Sequence, residues 1–410
     1  LKTLPETKTW LYARKGNFRP TEDKCHYTDI FMFPMLRLNG LEDAHYVKTE
    51  LENYPTYNTN NIASIQLPLN AFLREKKFYF NANSFVSLQK ISEFIDTINQ
   101  GKKLKLALSF NHIKYEIEQV YRLKVFFSEC LKKTKPRAVF FTCWYGIEQM
   151  ALSWACYDLK TPSVDIQHGQ QGKYHGMYHY WTKIPKFGYH IMPSFFWTWG
   201  DKWSRKINES FVNFTNNHLA ISGGNLWLKS QTNQIRLSKE ENFVAIKKAF
   251  QIRPLLSLQS IDDYIPDNIL NAMSSQINNK KVIWLIRRHP RQADSIVQID
   301  KFLKSHSINN FNIVESTELP LLDVIELSTH HLTNYSTTAY ESAFFKKPVG
   351  IFGKQGHESF SDEFDDGIFH RITSPNDIVD FISKKFFSVG IDNLFTNSAD
   401  SATSTILNKK

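Results

Sequence analysis

The sequence predicts an α/β protein with two parallel-sheet domains that face a central cleft. Strand-like and helix-like segments alternate over most of the chain, and their links are short, which requires parallel strands. A chain of 410 residues is also too long for one ordinary hydrophobic core. We therefore expect an N-terminal domain over 1–190, a C-terminal domain over 191–385, and a tail or crossover segment over 386–410.

The elements of the first half become clear only after residue 83. Residues 1–60 are rich in Tyr, Asn, Thr and Pro and show no clear periodicity. Apolar residues at helical spacing then predict two amphipathic helices, over 84–99 and 115–133. Three further segments predict one β-α-β unit: a buried strand over 136–144, a helix over 147–159 and a strand over 162–168.

The same alternation returns in the second half. Between the two regular regions, the pattern is weaker around 175–240. The predicted strands are 195–200, 219–224, 280–290, 309–316, 330–336 and 348–353. The predicted helices are 320–328, 337–345 and 374–388, the last with Ser and Asn at its start.

Composition restricts the class of partner. Hydrophobic residues make up 42% and charged residues 22%, as in soluble globular proteins. The net charge of +10 attracts phosphates, which can belong to nucleic acid, anionic lipid or a phosphorylated small molecule. The sequence contains no helix-turn-helix, zinc-finger or RNA-binding signature, so we expect no nucleic-acid partner.

Cysteine and acidic residues give no sign of a metal or cofactor. The four cysteines, at 25, 130, 143 and 156, lack zinc spacing and are typical of reduced thiols in a cytoplasmic protein. The acidic segment 361–367 is predicted to be a loop. No stretch of 18 apolar residues and no signal peptide is evident. The chain begins with Leu1, so it can be part of a longer protein.

A basic turn, "LIRRHPR", follows one predicted strand of the second half. Ligands of open parallel sheets bind at the carboxyl ends of strands, and guanidinium groups bind phosphate in bidentate geometry. The turn therefore predicts an anion site; the alternative is a solvated basic turn paired with its neighbours. The residues concerned are Arg287, Arg288, His289, Pro290 and Arg291.

A hydroxyl-rich segment, "LTNYSTTAYESAFF", opens a later helix. Hydroxyl and amide groups at a helix start can bind phosphate, and Glu341 can accept hydrogen bonds from ribose hydroxyls. An ordinary Ser/Thr cap is the alternative. Parallel strands bring this segment and the basic turn to one sheet edge, where they would hold a nucleotide phosphate. The candidate residues are Asn334, Ser336, Thr337, Thr338 and Glu341.

The segment "TPSVDIQHG" ends a strand of the other domain with a histidine. Strand alternation places His168 on the side opposite Asp165. A neutral imidazole there can accept a proton from an acceptor hydroxyl. Glu148 and Asp165 are alternative bases, and a structural histidine is the further alternative. Gly169 allows close approach of a ligand. The segment "KYHGMYHYW" predicts an acceptor-binding loop with Lys173, His175 and His179, or surface packing.

These motifs, in this order, resemble those of GT-B glycosyltransferases. The likeness covers about residues 136–355 and rests on "VDIQHG", "WTWGDKW", "SGGN", "RRHPR" and "TNYSTTAYESAFFKKPVGIFG". It is strongest to bacterial capsule and lipopolysaccharide transferases, and looser to teichoic-acid glycerophosphotransferases. Those glycerophosphotransferases follow His-Gly with Thr-Pro. This chain has Gln170-Gln171 instead, which favours sugar transfer.

The resemblance implies two Rossmann-like domains and a metal-independent transferase. The N-terminal domain would bind the acceptor and the C-terminal domain the nucleotide sugar. The phosphate-contacting roles fall on Arg288, His289, Pro290, Ser336, Thr337 and Glu341. The expected activity transfers a sugar from a CMP-ulosonic acid or UDP-hexose donor to a capsule or O-antigen acceptor. It would act in the cytoplasm, at the inner face of an anionic membrane. The alternatives are a polyol-phosphate transferase, a sugar-nucleotide epimerase and a degenerate non-catalytic sugar-binding module.

Overall fold

The computed structural model describes most of the chain. The described residues are 4–20, 26–50, 54, 63–75, 90, 93, 97, 110–171, 175–179, 181, 184–211, 217–232, 241–259, 265–289, 295–384 and 391–409. The predicted helix over 84–99 lies almost wholly outside them, as do the candidate residues Lys173, Pro290 and Arg291.

Fifteen strands occur among the described residues. In chain order they are β1 (Trp10–Tyr12), β2 (Phe18–Pro20), β3 (Tyr27–Asp29), β4 (His45–Thr49), β5 (Ser64–Leu67), β6 (Val139–Thr142), β7 (Ser163–Ile166), β8 (Phe195–Thr198), β9 (Leu219–Ser222), β10 (Pro254–Ser257), β11 (Trp284–Arg287), β12 (Phe311–Asn312), β13 (His330–Thr333), β14 (Val349–Ile351) and β15 (His370–Arg371).

The α-helices of the described residues lie mainly between these strands. They are α1 (Leu69–Glu75), α2 (Phe110–Thr134), α3 (Ile147–Leu159), α4 (Asp201–Phe211), α5 (Leu226–Gln231), α6 (Glu241–Ala249), α7 (Asp267–Ser275), α8 (Ile296–Ser305), α9 (Val314–Glu318), α10 (Leu321–Leu327), α11 (Thr338–Phe344), α12 (Lys354–Ser359), α13 (Ser361–Asp365), α14 (Pro375–Ser383), α15 (Ile391–Leu394) and α16 (Ala399–Leu407).

The strands form two sheets that are parallel throughout. The first has the order β5-β4-β1-β6-β7-β8-β9 and the second the order β12-β11-β10-β13-β14-β15. Strands β2 and β3 form a separate antiparallel pair. Central strands such as β6 and β7 are buried along their whole length, because helices cover both faces of a parallel sheet. Their apolar sequences are the reason that they were predictable.

The strand pairing does not follow the predicted domain boundary at 190/191. Strands β8 and β9 pair in the first sheet, so the division between the sheets falls after β9. A buried strand has the same apolar sequence whichever neighbour it pairs with, and for that reason the pattern could not assign these two strands. The last helix, α16, crosses back to the first sheet, where Ala402 and Ile406 pack in one core cluster with Leu11 and Val164.

Another core cluster joins the two sheets on one side of the molecule. Trp199 and Trp203, which follow β8, pack against Tyr340 of α11, with ring centroids 6.1 Å and 5.4 Å apart. Beside them, the ammonium group of Lys202 contacts Glu363 at 2.9 Å and Asp366 at 2.7 Å. These aromatic and ionic contacts fix the carboxyl edges of the two sheets relative to each other.

Candidate active site at the contact between the sheets

His168 lies just beyond the carboxyl end of β7. Its Nδ1 is 3.3 Å from the carbonyl oxygen of Ile166, which can only accept a hydrogen bond. We therefore assign the proton to Nδ1. The other nitrogen, Nε2, accepts from its neighbours: it is 2.9 Å from Cys143 Sγ and 3.2 Å from Tyr145 Oη. The lone pair of Nε2 thus faces the loop after β6.

The surroundings of His168 keep the imidazole neutral. The pKa of His168 is lowered to about 4, chiefly by burial and to a smaller extent by the nearby charges of Arg14 and His175. The hydrogen bond to Ile166 acts in the opposite direction. A neutral imidazole at neutral pH can act as a proton acceptor.

Arg14 is a site residue that the sequence analysis did not identify. It follows β1, so it stands at the same sheet edge as His168. Its side chain forms a hydrogen bond with Cys143, and its charge acts on His168 and Asp165. The sequence contained a pattern that could have identified Arg14. The segment "WLYARKG" is an apolar run followed by basic residues, and "LIRRHPR" has the same pattern.

Of the other two predicted bases, Asp165 is fully buried. Its Oδ1 accepts from the backbone N–H of Trp144 at 3.2 Å, and its Oδ2 accepts from Tyr178 Oη at 2.7 Å. Burial raises the pKa of Asp165 to about 7. These bonds connect the loop after β6 with the segment after β7. The carboxylate of Asp165 therefore stabilises these two segments and is not directed toward the cleft.

Glu148 lies in the first turn of α3 and accepts a hydrogen bond from Tyr12 Oη. Tyr12 belongs to β1 and is fully buried, and its proximity to Glu148 and its burial raise the pKa of the phenol. The carboxylate is therefore directed back over β1. Its predicted role as a base remains a prediction that this geometry does not favour.

The predicted acceptor loop contributes one half-buried histidine and one buried histidine. The ring of His175 lies 5.5 Å from that of Tyr145 and 4.8 Å from that of Tyr178, so His175 borders the His168 site. His179 is buried: Nε2 is 2.7 Å from the carbonyl oxygen of Gln171 and Nδ1 is 3.4 Å from Ser210 Oγ. His179 therefore stabilises the loop, and of the two described histidines His175 is the one that borders the site.

The two sheets meet at Gly169. A β-carbon built on Gly169 would lie 3.5 Å from Cγ2 of Thr337, which precedes α11 on the other sheet. The side-chain amide of the next residue, Gln170, donates a hydrogen bond to the carbonyl oxygen of Ser359. The structure therefore brings the segment that follows His168 into contact with Thr337 of the other sheet.

Much of the hydroxyl-rich segment forms an ordinary turn before α11, which has no side-chain cap at Thr337. Ser336 Oγ accepts from the backbone N–H of Thr338 at 3.3 Å and from its hydroxyl at 2.9 Å. Asn334 Oδ1 accepts from the N–H of Gly356 at 3.0 Å, which holds the loop after β14. These side chains use their polar atoms within the protein, and Thr337 is the member that faces the other sheet.

The basic turn also divides into two kinds of residue. Nη1 of Arg287 donates to the carbonyl oxygens of Ser316 and Leu319, both at 2.8 Å, and burial lowers the pKa of this guanidinium to about 10. Arg287 thus stabilises the segment around α9. The backbone N–H of Arg288 donates to Thr317 Oγ1 at 3.1 Å, and His289 follows at the carboxyl edge of the second sheet.

Glu341 carries a buried carboxylate near the interdomain contact. Burial raises its pKa to about 7, although the charges of Arg19 and Arg287 act in the opposite direction. Its Oε2 is buried and has no hydrogen-bond partner among the described residues. Arg19 belongs to β2, so the two halves of the chain both contribute charge here. Glu341 therefore has the unused hydrogen-bonding capacity that its predicted ribose contact requires.

Two further observations concern the described part of the chain. It contains no cluster of three or more His, Cys, Asp or Glu side chains arranged to hold a metal ion. None of the helices it covers has the length and apolar character needed to cross a membrane. Cys130, Cys143 and Cys156 are buried thiols, and burial raises the pKa of each.

Solved structures with the same fold cover nearly the whole chain. UDP-GlcNAc 2-epimerase from Neisseria meningitidis, solved with UDP-GlcNAc, has a TM-score of 0.59 at 13% identity, over 98% of this chain and 100% of that one. The corresponding Methanocaldococcus jannaschii enzyme has a TM-score of 0.56 at 14% identity, over 98% and 99%. S. aureus MnaA with UDP has a TM-score of 0.54 at 11% identity, over 97% and 94%.

These matches and the two parallel sheets confirm the predicted α/β fold of GT-B type. At such low sequence identity the likeness extends to the fold and not to the reaction. No family model and no curated protein matches the sequence. The specific likeness to capsule and lipopolysaccharide transferases therefore stays a prediction.

Proposed function

We propose that this protein transfers a sugar from a nucleotide-activated donor to a hydroxyl group of an acceptor glycan. The observation that supports it best is the position of His168. The neutral imidazole of His168 lies just beyond the end of β7 in the first sheet. The next residue, Gly169, packs against Thr337 of the second sheet. A base on one side of a cleft and a nucleotide site on the other is the arrangement that glycosyl transfer needs.

In this reaction, the acceptor hydroxyl displaces the donors of Cys143 and Tyr145 from Nε2 of His168, and Nε2 then accepts its proton. The hydroxyl oxygen forms a bond to the anomeric carbon as the bond from that carbon to the phosphate oxygen breaks. The electron pair leaves with the nucleotide, whose new negative charge is stabilised by cationic and hydrogen-bonding groups. We assign this purpose to Arg288, His289 and Thr337, at the carboxyl edge of the second sheet. A single displacement of this kind inverts the anomeric centre.

The finer assignments rest on the sequence resemblance. They are a CMP-ulosonic acid or UDP-hexose donor, a capsule or O-antigen acceptor, and action in the cytoplasm beside the inner membrane face. The net charge of +10 suits both an anionic membrane and a nucleotide substrate.

A sugar-nucleotide epimerase is the second candidate. The full-length fold similarity to UDP-GlcNAc 2-epimerases favours it. Such an enzyme converts the nucleotide sugar without an acceptor, so the two activities can be separated by experiment.

The first test is a titration of CMP, CDP, UDP and GDP against the wild-type chain and His289→Ala, with the exposed His306→Ala as the matched control. We expect one nucleotide to bind, with weaker binding in His289→Ala and unchanged binding in the control. If none binds to the folded wild-type chain, the transferase and epimerase proposals both fail and a degenerate binding module takes their place.

The second test supplies nucleotide sugars of the base that binds, with and without oligosaccharide acceptors, and analyses the products by mass spectrometry and NMR. Transfer requires the acceptor, and His168→Asn should lower the turnover about 10²-fold to 10⁴-fold while nucleotide affinity stays the same. Conversion of the donor sugar in the absence of any acceptor would establish the epimerase instead.

A further inference from the structure

A cavity of about 540 Å³ opens beside β14 and β15, outside the residues discussed above. We call it the β14–β15 cavity. Its polar lining includes Lys354, His357 and Glu358 of α12, Ser361 of α13, Arg371 of β15 and Asn268 of α7. Since β13, β14 and β15 are parallel, the cavity lies on the sheet edge that also carries Thr337. Ligands of such sheets bind at this edge, and the cavity has the volume of a small-molecule site.

Two charged side chains of the cavity are not paired with each other. Lys354 and Glu358 are four residues apart in α12, a spacing at which opposite charges commonly form an ion pair. Neither side chain makes a hydrogen bond or an ion pair with a residue that the structure describes. Both line the cavity, so both are available to a ligand.

Arg371 provides a second cationic group. Its guanidinium carbon lies 4.4 Å from the ring centroid of Phe364, which restricts the position of the group. No carboxylate of the described residues pairs with it. A guanidinium held on an aromatic ring keeps its N–H groups for an anion, and it loses little side-chain entropy when the anion binds.

Ser361 contributes a buried polar atom. Its Oγ is inaccessible to solvent and has no hydrogen-bond partner among the described residues. Buried hydroxyls in folded proteins are nearly always hydrogen-bonded, and a rotation of the Ser361 side chain toward the cavity would let a ligand satisfy this one.

We propose that the β14–β15 cavity binds an acidic sugar. Its anionic group, a carboxylate or a phosphate, would be held by Arg371 and Lys354, and its hydroxyls would contact Glu358 and Ser361. Two cations and one carboxylate leave a net positive lining, which favours an anion, while the neutral and acidic groups are suited to sugar hydroxyls. The site is additional to the donor site of the proposed transferase and does not depend on it.

The test is a calorimetric titration of the full chain with glucuronic acid, glucose 1-phosphate, glucose and inorganic phosphate. We expect at least one of the two acidic sugars to bind, and to bind more tightly than glucose or inorganic phosphate; the better of the two identifies the anionic group. Lys354→Gln and Arg371→Gln should each weaken that binding by about tenfold, the loss of one charged hydrogen bond. Lys280→Gln, at an exposed position of the same domain, is the matched control and should bind as the wild type does.

Several results would overturn the proposal. If glucose binds as tightly as the acidic sugars, the site does not require an anionic group. If inorganic phosphate binds as tightly as glucose 1-phosphate, the site does not recognise the sugar. Unchanged affinity in Lys354→Gln would show that the cavity is not the binding site. The fold of this variant is expected to be preserved, because Lys354 is exposed and its side chain makes no hydrogen bond or ion pair with a described residue. Loss of nucleotide binding in Arg371→Gln would show that the cavity belongs to the donor site and is not an additional site. Loss of nucleotide binding in His289→Ala alone supports two separate sites.

Discussion

Cys143 Sγ lies 2.9 Å from His168 Nε2, and Cys143 itself has a left-handed backbone with φ of 56°. Such a conformation is unfavourable for a residue with a side chain, and it places the thiol at the carboxyl end of β6, facing β7. Burial raises the pKa of the Cys143 thiol to about 11, so the sulfur keeps its proton. The thiol therefore orients the imidazole as a hydrogen-bond donor and is not a nucleophile.

This relationship predicts different effects for two substitutions of the same residue. Cys143→Ser retains a donor toward Nε2 and should keep turnover within about threefold of the wild type, whereas Cys143→Ala should lower it roughly tenfold with unchanged nucleotide affinity. Steady-state kinetics and nucleotide titration measure both quantities. Equal turnover in the two variants would contradict an orienting role for the thiol.

The free energy of unfolding should decrease in weak acid because of buried histidines. Burial lowers the pKa of His331 to about 3, and Nε2 of this residue is 2.8 Å from Ser257 Oγ. The unfolded chain binds a proton at about pH 6.5 and the folded chain does not. The contribution of His331 is therefore complete above pH 6.5 and decreases by about 1 kcal/mol per pH unit below it.

His168 and His218, whose pKa values burial lowers to about 4, should add to this slope. Urea unfolding between pH 7 and pH 5 measures it, and His331→Gln should reduce the difference between these two pH values by about 2 kcal/mol. An unchanged slope in His331→Gln would mean that this histidine is protonated in the folded protein.

Glu341→Gln should make the unliganded protein more stable at pH 8. The folded carboxyl group has a pKa of about 7, above its value in the unfolded chain. Its contribution to stability is therefore complete below pH 4.5 and is lost as the pH rises through 7, where the buried group must ionise. Replacing it with an amide removes this cost, about 1–3 kcal/mol at pH 8.

The same substitution removes a predicted ribose contact, so nucleotide affinity should fall as stability rises. Denaturation at pH 8 and at pH 4.5, together with nucleotide titration, checks both effects. Loss of stability at pH 8 would show that the charged carboxylate is favourably paired in the folded chain.

Lys202→Met should be strongly destabilising. The Lys202 side chain is 7% exposed and Glu363 is 1% exposed, so the substitution leaves a buried carboxylate without its cation. A loss of about 3–5 kcal/mol is expected in chemical denaturation. Lys304→Met is the matched control, because Lys304 pairs with Asp300 on the surface, and it should cost less than about 1 kcal/mol. The double variant Lys202→Met/Glu363→Leu should recover much of the loss.

Elements with long, regular patterns were predicted accurately. Helix α3 spans Ile147–Leu159, the predicted range, and Ser374 caps α14 through a hydrogen bond to the N–H of Asp377. The first strands, β1 and β4, were not identified, because three to five residues between irregular segments carry too little periodicity. Their omission also concealed Arg14.

Individual side-chain roles were harder to predict than elements. The sequence predicts that Arg287 and Arg288 stand at a strand end, but the direction of each guanidinium depends on carbonyl groups of distant segments, such as those of Ser316 and Leu319. Alternation likewise placed His168 on the side opposite Asp165. Beyond Ile166 the backbone leaves the strand, and both side chains contact the loop after β6.

Helix α16 has a consequence for the order in which the protein folds. The core under the first sheet contains Ala402 and Ile406 together with Leu11 and Val164, so residues from the two ends of the chain complete one cluster. Domains usually fold as units while the chain is being synthesised, starting from the N-terminus. Here the first sheet can reach its final packing only after α16 has left the ribosome, so the second sheet is able to form before the first is complete.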